Sequence, residues 1–240
     1  MKALWLKVTG PVASFRRPLD HNYQRTLPHP PPTTLWGLAG AALGLSDYEM
    51  WSSSSPLRGI KVSVVALNKP GLARDMWTLR KIKGNKIVEL SPYFRELLFY
   101  ARYILLYGGE EEFLQKLKKA FMDPIYPLSL GREDELLVLE DMGISEILDG
   151  KAVFSGTILP GELKRLNFKW IPVPGREVEP PVVENLPLGF KVDKKGVRSP
   201  LNIQPFTFLP YGVEIETKDI EAFTAPLLEG RNFTWMPGIF

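Results

Sequence analysis

Aromatic and basic side chains stand close together in the first thirty residues, in a pattern that suits single-stranded nucleic acid. Phe15 directly precedes Arg16 and Arg17, and Tyr23 stands two positions before Arg25. Unpaired bases stack on aromatic rings, while neighbouring arginines bind the phosphates. The residue types and their spacing therefore predict a surface that binds RNA.

A second basic cluster lies in the segment 77–90, WTLRKIKGNKIVEL. Gly84-Asn85 is typical of a two-residue turn, so the segment is predicted to fold as a β-hairpin. Its tip carries Arg80, Lys81, Lys83 and Lys86, and Trp77 stands at its base. Such a hairpin can act as an arm that binds an anion, although lysines also protect exposed strand edges from pairing with other chains.

The same region leaves a second chemistry open, the cleavage of RNA without a metal. That reaction needs a general base near a 2′-hydroxyl and a cation or phenol near the phosphate. His21, His29 and Tyr23 offer these groups together with the arginines, although a histidine flanked by prolines, such as His29, is more often structural. We therefore predict that His21 contacts RNA without catalysis, with a metal-independent endoribonuclease as the alternative.

The inventory of side chains argues against several other kinds of site. The chain has no cysteine and two histidines, so disulfides, thiolate zinc sites and cysteine nucleophiles are excluded. The phosphate-binding pattern G-x-x-x-x-G-K-[ST] does not occur, and Gly37 and Gly40 stand among apolar residues, which indicates helix packing. We expect neither a metal nor a cofactor.

Charge is unevenly distributed along the chain, although the net charge is only +3. Residues 1–37 and 72–88 each carry five Lys or Arg and one acid, whereas residues 133–149 carry seven acids and no base. This polarity indicates one face for an anion and another for a different partner. We find no signal peptide and no apolar run of membrane-spanning length, so we expect a cytoplasmic protein without a membrane partner.

Hydrophobic periodicity predicts the first strand and the first helix, which must position these residues. Residues 2–9 alternate as a strand, and residues 34–44 form a helix of small residues. Hydroxyl residues at its start can cap this helix, and Gly44 is placed to end it. The basic loop and the prolines between strand and helix would hold an anion in front of a sheet, with the helix packed behind.

The later elements repeat this order. Strands are predicted at 59–67, 95–107 and 136–140, with the hairpin before the second of them and an amphipathic helix at 110–122. The order β-α-β-arm-β-α-β is the split βαβ, ferredoxin-like plan that RNA-recognition folds share. We therefore predict an α+β fold, with a ferredoxin-like domain in residues 1–150, its basic hairpin at about 72–90, and a smaller β-rich region in residues 151–240 packed on it.

Two motifs make the chain similar to a known family. Residues 10–18 read G-P-x-A-S-F-R-x-P, residues 28–44 continue as P-x-P-P-x-T-T-L-x-G-L-x-G-A-A-L-G, and residues 126–134 read Y-P-L-S-L-G-R-E-D. In this order and at this separation they resemble the motifs of a CRISPR-associated RAMP family. That family is the Cascade subunit that holds the 5′ handle of the guide RNA. The resemblance covers roughly residues 1–140.

The resemblance implies a ferredoxin-like domain with a β-hairpin thumb inserted between its second and third strands. It implies a non-catalytic subunit of a type I Cascade complex, which binds the 5′ handle and caps a filament of backbone subunits in antiviral defence. The large subunit of the complex would be a further partner, and one subfamily cleaves the precursor RNA instead. Phe15, Arg16 and Arg17 would contact the handle. A generic RNA-recognition module outside any such complex is another alternative.

Overall fold

Strands make up most of the fold, and three α-helices lie between them in the described part of the chain. The computed structural model describes residues 1–173, 175 and 179–239. The helices are α1 (Pro32–Leu43), α2 (Asp47–Trp51) and α3 (Glu111–Met122). The strands are β1 (Lys2–Ala13), β2 (Tyr23–Gln24), β3 (Lys61–Ala66), β4 (Gly71–Lys83), β5 (Lys86–Gly108), β6 (Val138–Glu146), β7 (Leu148–Asp149), β8 (Val153–Phe154), β9 (Ile158–Pro160), β10 (Phe168–Ile171), β11 (Val182–Val192), β12 (Arg198–Phe208), β13 (Glu214–Thr217) and β14 (Phe223–Thr224). The prediction of a mixed fold with more strand than helix is confirmed. None of the helices in these residues combines the length and the apolar character needed to cross a bilayer.

A central antiparallel sheet has the order β3–β5–β1–β6. β1 lies between β5 and β6, and β3 pairs with the last part of β5, from Lys61 opposite Gly108 to Ala66 opposite Tyr103. The connection through α1 leads from β1 to β3, and β5 lies between these two strands. The connection through α3 leads from β5 to β6, and β1 lies between them. The two βαβ units are therefore interleaved in one sheet.

Alternation along β1 gives the sheet two apolar faces. Leu4, Leu6 and Val8 are fully buried in one cluster with the apolar side chains of α1 and α3. Ala3 and Trp5 belong to a second cluster. Because burial of apolar surface contributes about 25 cal/mol per Å², the packing of the two helices on β1 is a main source of stability.

The second face of the sheet is covered by the last part of the chain. Ala3, Ile104 and Leu106 pack with Leu228 and Phe233 in an apolar cluster of their own. The centre of this face is therefore in contact with protein. The expectation of an anion in front of the sheet is wrong for this region, because side chains between Phe223 and Trp235 already occupy it.

Helix α1 begins two residues earlier than predicted, and it begins with proline instead of a hydroxyl cap. Pro31 is the N-cap residue and forms no side-chain cap bond, while Pro32 takes the first helical position. Proline is favoured there because its missing N–H would have no helical partner. Gly44 ends the helix in the left-handed conformation, with φ 73°, as predicted.

A long hairpin projects from the sheet. β4 pairs with the first part of β5, from Gly71 opposite Phe99 to Lys83 opposite Lys86, and Gly84 turns the chain between them. Residues 76–90 are all exposed, so neither face of the outer hairpin packs on the body. β5 continues without interruption from the hairpin into the sheet.

The region after residue 150 forms small sheets that share the main core. β8, β10 and β13 form one sheet, and β9, β11 and β12 form another. Leu186, Leu188, Phe206 and Phe208 are buried in the same cluster as Trp36 of α1. Common apolar packing therefore joins this region to the first part of the chain, and the domain boundary at residue 150 stays a prediction.

Candidate nucleic-acid interface

A short ladder at the end of β1 holds the predicted RNA-binding loop. The Leu27 N–H donates to the Phe15 carbonyl at 2.8 Å, and the Phe15 N–H donates to the Thr26 hydroxyl at 2.9 Å. Arg16 and Thr26 also form a β-bridge. The loop 17–25 therefore starts and ends at the edge of the sheet, which limits where its side chains can reach.

The second sequence motif supports this ladder. The Ser14 hydroxyl donates to the buried Glu135 carboxylate, at 2.7 Å to Oε1, and the Ser14 N–H donates to the Leu130 carbonyl at 3.3 Å. Glu135 also accepts a hydrogen bond from the Arg132 backbone N–H at 2.9 Å. The two motifs thus meet at the end of β1, and the second one positions the first.

Phe15 does not offer a stacking surface, which corrects the prediction for this residue. Its side chain is only 3% exposed, and its ring packs edge-on to Tyr103 with the ring centroids 6.3 Å apart. A large apolar ring gains more free energy from burial in the core than from exposure to water. Phe15 therefore anchors the loop, and the neighbouring Arg16 is exposed.

The three arginines of this loop differ in how far their charges are compensated. Arg16 forms no ion pair within the described residues, and Arg17 lies in the wall of a cavity of about 240 Å³. The buried Nε of Arg17 has no acceptor in the described part of the chain. Arg25 instead donates to Asp20 with Nε at 3.1 Å and a terminal nitrogen at 2.7 Å, which lowers the pKa of Asp20. Arg16 and Arg17 therefore keep positive charge that no ion pair with a described residue compensates, which suits an anion better than the paired charge of Arg25.

Tyr23 becomes part of an exposed row through the pairing of β2 with β5. Tyr23 stands beside Phe94, and Met76 of β4 stands opposite Phe94, so the three side chains line up across three strands. The ring centroids of Tyr23 and Phe94 are 6.4 Å apart, and the Arg74 guanidinium lies 6.0 Å from the Tyr23 ring. We call Tyr23, Arg74, Met76 and Phe94 the Tyr23 face. Exposed aromatic rings beside a cation are the surface that single-stranded RNA needs.

The other face of the hairpin base carries Trp77. The Arg95 guanidinium lies over its indole ring, 3.7 Å from the ring centroid, and Arg95 also pairs with Asp75 at 3.4 Å. The Trp77 side chain is 40% exposed, so part of the ring remains accessible. This arrangement holds the indole in one orientation, with room for a base beside it.

Arg132 of the second motif joins β2 to Tyr93 of β5 at the hairpin base. A terminal nitrogen of its guanidinium donates to the Gln24 side-chain oxygen and to the Tyr93 hydroxyl, the latter at 3.2 Å. The guanidinium also lies 5.9 Å from the Tyr93 ring. Since Gln24 follows Tyr23 in β2, Arg132 fixes the strand that presents the Tyr23 face.

The cations of the hairpin tip lie apart from the loop 17–25. Lys81 pairs with Glu89 at 3.2 Å, whereas Arg80, Lys83 and Lys86 are exposed and form no ion pair among the described residues. Asp75 at the base and Lys83 at the tip are separated by eight residues of strand, or about 26 Å. The tip is therefore a separate basic patch and does not extend the Tyr23 face directly.

The two histidines lie in different surroundings. His21 is exposed in the loop, whereas His29 is 2% exposed and donates from Nε2 to the Leu209 carbonyl at 2.7 Å. Burial lowers the pKa of His29 to about 4, so the side chain is neutral at pH 7. His29 is therefore a structural residue of the core.

The Tyr23 hydroxyl is poorly suited to act as a base. It donates a hydrogen bond to Glu96 Oε1 at 3.0 Å. Removal from water, and after it the neighbouring Glu96 carboxylate, raises the pKa of Tyr23. A phenol that keeps its proton more firmly can still stack and donate hydrogen bonds.

Several residues of this interface were missed in the sequence. They are Arg74, Tyr93, Phe94 and Arg95. Arg132 belongs to the second motif, and its contact with β2 is seen only in the structure. The predicted strand began at residue 95, but β5 begins at Lys86, and its alternation through Tyr93 and Phe94 was the available signal. The partners on β2 could not be read from local pattern, because β2 and the middle of β5 are about seventy residues apart.

Comparisons with known proteins agree with the two motifs. The family model "CRISPR-associated protein (Cas_Cas5)" matches residues 3–194. A chain of a solved "CRISPR RNA-guided surveillance complex" is similar in structure, with a TM-score of 0.54 and 16% identity, over 94% of this chain and 92% of that chain. A CRISPR protein from Archaeoglobus fulgidus has a TM-score of 0.53 and 13% identity, over 98% of this chain and 99% of that chain. A search of curated protein sequences finds no match. At these identities, the two solved structures show a common fold.

Proposed function

We propose a function from one premise: the chain belongs to the CRISPR-associated Cas5 family, whose model matches residues 3–194. The proposed role is that of a non-catalytic guide-RNA-binding subunit in a type I Cascade complex, which serves antiviral defence. In this role the chain holds the repeat-derived 5′ handle. The observation that carries the proposal is the pairing of β2 with β5, because it places the basic loop beside the base of a basic hairpin.

The chemistry of this junction supports RNA as the ligand. The rings of Tyr23 and Phe94 supply stacking surfaces, and Arg74 adds a cation beside them. Arg16 and Arg17 supply charge that no acid among the described residues compensates with an ion pair. Stacking together with phosphate contacts is how proteins hold an unpaired strand, whereas a duplex hides the faces of its bases.

We also propose that the interleaved βαβ units form a ferredoxin-like domain and that the β4–β5 hairpin is its thumb. The order β3–β5–β1–β6, with antiparallel neighbours throughout, supports this assignment. The hairpin leaves the sheet between β3 and the last part of β5, which are the second and third strands of that domain.

The proposed protein partners are the backbone subunit, whose filament this chain would cap, and the large subunit of the complex. The hairpin offers surface for such a contact, because Leu72, Met76 and Leu90 are each more than 60% exposed. Large apolar side chains left exposed along one arm are typical of surfaces that contact another protein. The cations at the tip allow the same arm to contact RNA.

The proposal assigns no catalytic step to the chain. The Tyr23 hydroxyl donates its proton in a hydrogen bond to Glu96, so it is a poor base. His29 is neutral and buried, so His21 is the one histidine available to a ligand. Incubation of the purified protein with repeat RNA in EDTA tests this, and the expected result is intact RNA. Cleavage that His21→Ala or Tyr23→Ala abolishes would favour the endoribonuclease alternative.

Binding of repeat RNA at several salt concentrations tests the handle site itself. Arg16→Ala combined with Arg17→Ala should weaken binding and reduce the slope of log K against log salt by up to about 1.4, since each lost phosphate contact on a single strand accounts for about 0.7. Lys116→Ala combined with Lys119→Ala on α3 removes the same charge elsewhere and should leave binding nearly unchanged. An unchanged slope in the arginine variant would remove the basis for this site. Sequencing of RNA that co-purifies with the protein should give a uniform, repeat-derived 5′ end.

A further inference from the structure

A second basic hairpin, formed by β11 and β12, lies in the C-terminal region. The two strands pair from Val182 opposite Phe208 to Val192 opposite Arg198. Its tip carries four exposed cations within eight residues, namely Lys191, Lys194, Lys195 and Arg198. The three lysines form no ion pair within the described residues, so their charge is directed to solvent.

The acid at this tip does not compensate the lysines by an ion pair. The Asp193 carboxylate accepts hydrogen bonds from the backbone N–H groups of Lys195 and Val197, at 2.8 and 2.9 Å. The Gly196 N–H donates to the Asp193 carbonyl at 3.0 Å. Asp193 therefore shapes the turn, and the turn presents Lys194 and Lys195 on the outside.

Aromatic rings stand next to these cations. A cavity of about 230 Å³ between α2 and the hairpin is lined by Tyr48, Trp51, Phe190 and Lys191, together with Ser52 and Ser53. Tyr48 is 70% exposed, and Phe190 packs edge-on against Trp51 with the centroids 5.1 Å apart. One large ring is therefore presented openly, and the rings behind it are fixed.

The cavity also has polar groups that suit a sugar–phosphate chain. The indole N–H of Trp51 is buried and has no acceptor among the described residues. Arg198 lies 5.8 Å from the centroid of the Phe190 ring and pairs with Asp47, which fixes its position beside that ring. A phosphate at the mouth of the cavity would meet the Lys191 ammonium beside the exposed ring of Tyr48.

We propose that Tyr48, Lys191, Lys194 and Lys195 form a second surface for single-stranded RNA, which we call the Tyr48 surface. An open ring beside unpaired cations is the combination that holds unpaired bases and phosphates together. A duplex would leave Tyr48 without a base to stack on, and an acidic peptide would use the lysines but not the ring. The observations therefore favour a single strand over either of them.

The Tyr48 surface is separate from the handle site and does not rest on it. Val182, at the base of the second hairpin, lines the same cavity as Arg17. The tip begins ten residues further along β11, which corresponds to about 33 Å of strand. An RNA bound at the loop 17–25 would therefore have to leave that loop and follow the hairpin to reach Tyr48.

Binding of a fluorescent 20-nucleotide oligouridine to the full chain tests the proposal without requiring a handle sequence. Lys191→Ala combined with Lys194→Ala and Lys195→Ala should lower the slope of log K against log salt by up to about 2, at about 0.7 for each lost contact. Lys116→Ala combined with Lys118→Ala and Lys119→Ala on α3 removes the same charge and should change the slope far less. Equal slopes for the two triple variants would overturn the proposal.

Stacking is tested separately from charge. Tyr48→Ala should weaken oligouridine binding about tenfold, whereas Tyr48→Phe should bind like the natural chain because stacking uses the ring and not the hydroxyl. Ultraviolet crosslinks should appear in residues 46–53 or 188–199, and they should persist when Arg16 and Arg17 are both replaced by Ala. Absence of crosslinks in both segments, or competition by duplex DNA or polyglutamate as strong as that by unlabelled oligouridine, would refute a single-strand site. The handle site can fail its own test while these crosslinks remain, so the two proposals are distinguishable.

Discussion

The guanidinium of Arg95 lies over the indole ring of Trp77 at the base of the long hairpin, with its central carbon 3.7 Å from the ring centroid. Arg95 is 7% exposed, pairs with Asp75 at 3.4 Å, and Asp75 accepts the indole N–H of Trp77. The three side chains therefore form a closed set at the point where the hairpin leaves the sheet. A projecting arm needs such a clamp, because its outer part has no contact with the body.

Removal of the clamp should therefore loosen the arm. Arg95→Ala deprives Asp75 of its partner and Trp77 of its cation, which should cost about 1–3 kcal/mol of unfolding free energy in urea. Hydrogen exchange should become faster for the amides of residues 72–79. Lys81→Ala is the matched control, because it breaks an exposed ion pair on the same hairpin and should cost less than about 1 kcal/mol. Equal losses for the two variants would show that the contact of Arg95 with Trp77 does not clamp the arm.

Acid should destabilise the protein through His29. Its pKa is about 4 in the folded chain and near 6.5 when exposed, so the unfolded chain takes up the proton first as the pH falls. The contribution of His29 to stability is complete above about pH 6.5 and is lost between pH 6.5 and pH 4, by up to about 3 kcal/mol. Urea unfolding across this range measures the loss. His29→Gln retains an N–H for the Leu209 carbonyl but cannot titrate, so it should show a flatter dependence on pH; an identical profile would argue against the neutral buried histidine.

The two glycines in the middle of α1 should respond oppositely to alanine. A Cβ at Gly37 would meet no heavy atom within 4 Å, whereas a Cβ at Gly40 would lie 2.6 Å from Sδ of the buried Met50. Gly37→Ala should raise the unfolding free energy by up to about 1 kcal/mol through helix propensity. Gly40→Ala should be less stable than Gly37→Ala by about 1–3 kcal/mol, because Met50 must move within a packed site. Equal stability of the two variants, measured by thermal or urea unfolding, would contradict this difference.

Elements that bury one face are the ones that the sequence predicts best. Burial on one face of an element produces a periodic pattern, so the amphipathic α3 is predicted close to its observed bounds, and it buries Leu114, Leu117 and Phe121. The start of β1 is predicted as well, but the strand continues through Gly10-Pro11 to Ala13, beyond the predicted end at residue 9. The sequence predicts close helix packing at both Gly37 and Gly40, but only Gly40 has a neighbouring side chain within 4 Å of an added Cβ. Periodicity shows that a helix has an apolar environment, but it does not show which small residue actually touches a neighbour.

Other elements were missed for identifiable physical reasons. The β11–β12 hairpin contains Pro187, Pro200 and Pro205, which usually argue against a strand. β9 pairs only with Phe206–Phe208 of β12, so the three prolines lie where each strand keeps an unpaired edge, and such an edge tolerates proline. The short helix α2 was missed although Ser46 and Glu49 form a capping box, which was a readable signal. Phe15 was assigned to the surface because it stands beside two arginines. Neighbours in sequence do not reveal which side of the chain faces the core, and the burial of Phe15 depends on Tyr103, far along the chain.

The second motif allows positioning to be separated from direct contact with RNA. Arg132 donates to the Gln24 side-chain oxygen and to the Tyr93 hydroxyl, so its guanidinium is already engaged in holding β2 against the hairpin base. Arg132→Gln should therefore weaken repeat-RNA binding about tenfold by loosening the Tyr23 face, while the slope of log K against log salt stays the same.

Arg80→Gln at the hairpin tip is the matched variant, because Arg80 is exposed and forms no ion pair within the described residues. Its loss should reduce the slope by about 0.7 and leave the unfolding free energy unchanged. Both variants remove one positive charge, so net charge cannot explain a difference between them. A slope that falls equally in both would mean that Arg132 binds a phosphate itself, and that the second motif is part of the RNA contact as well as its support.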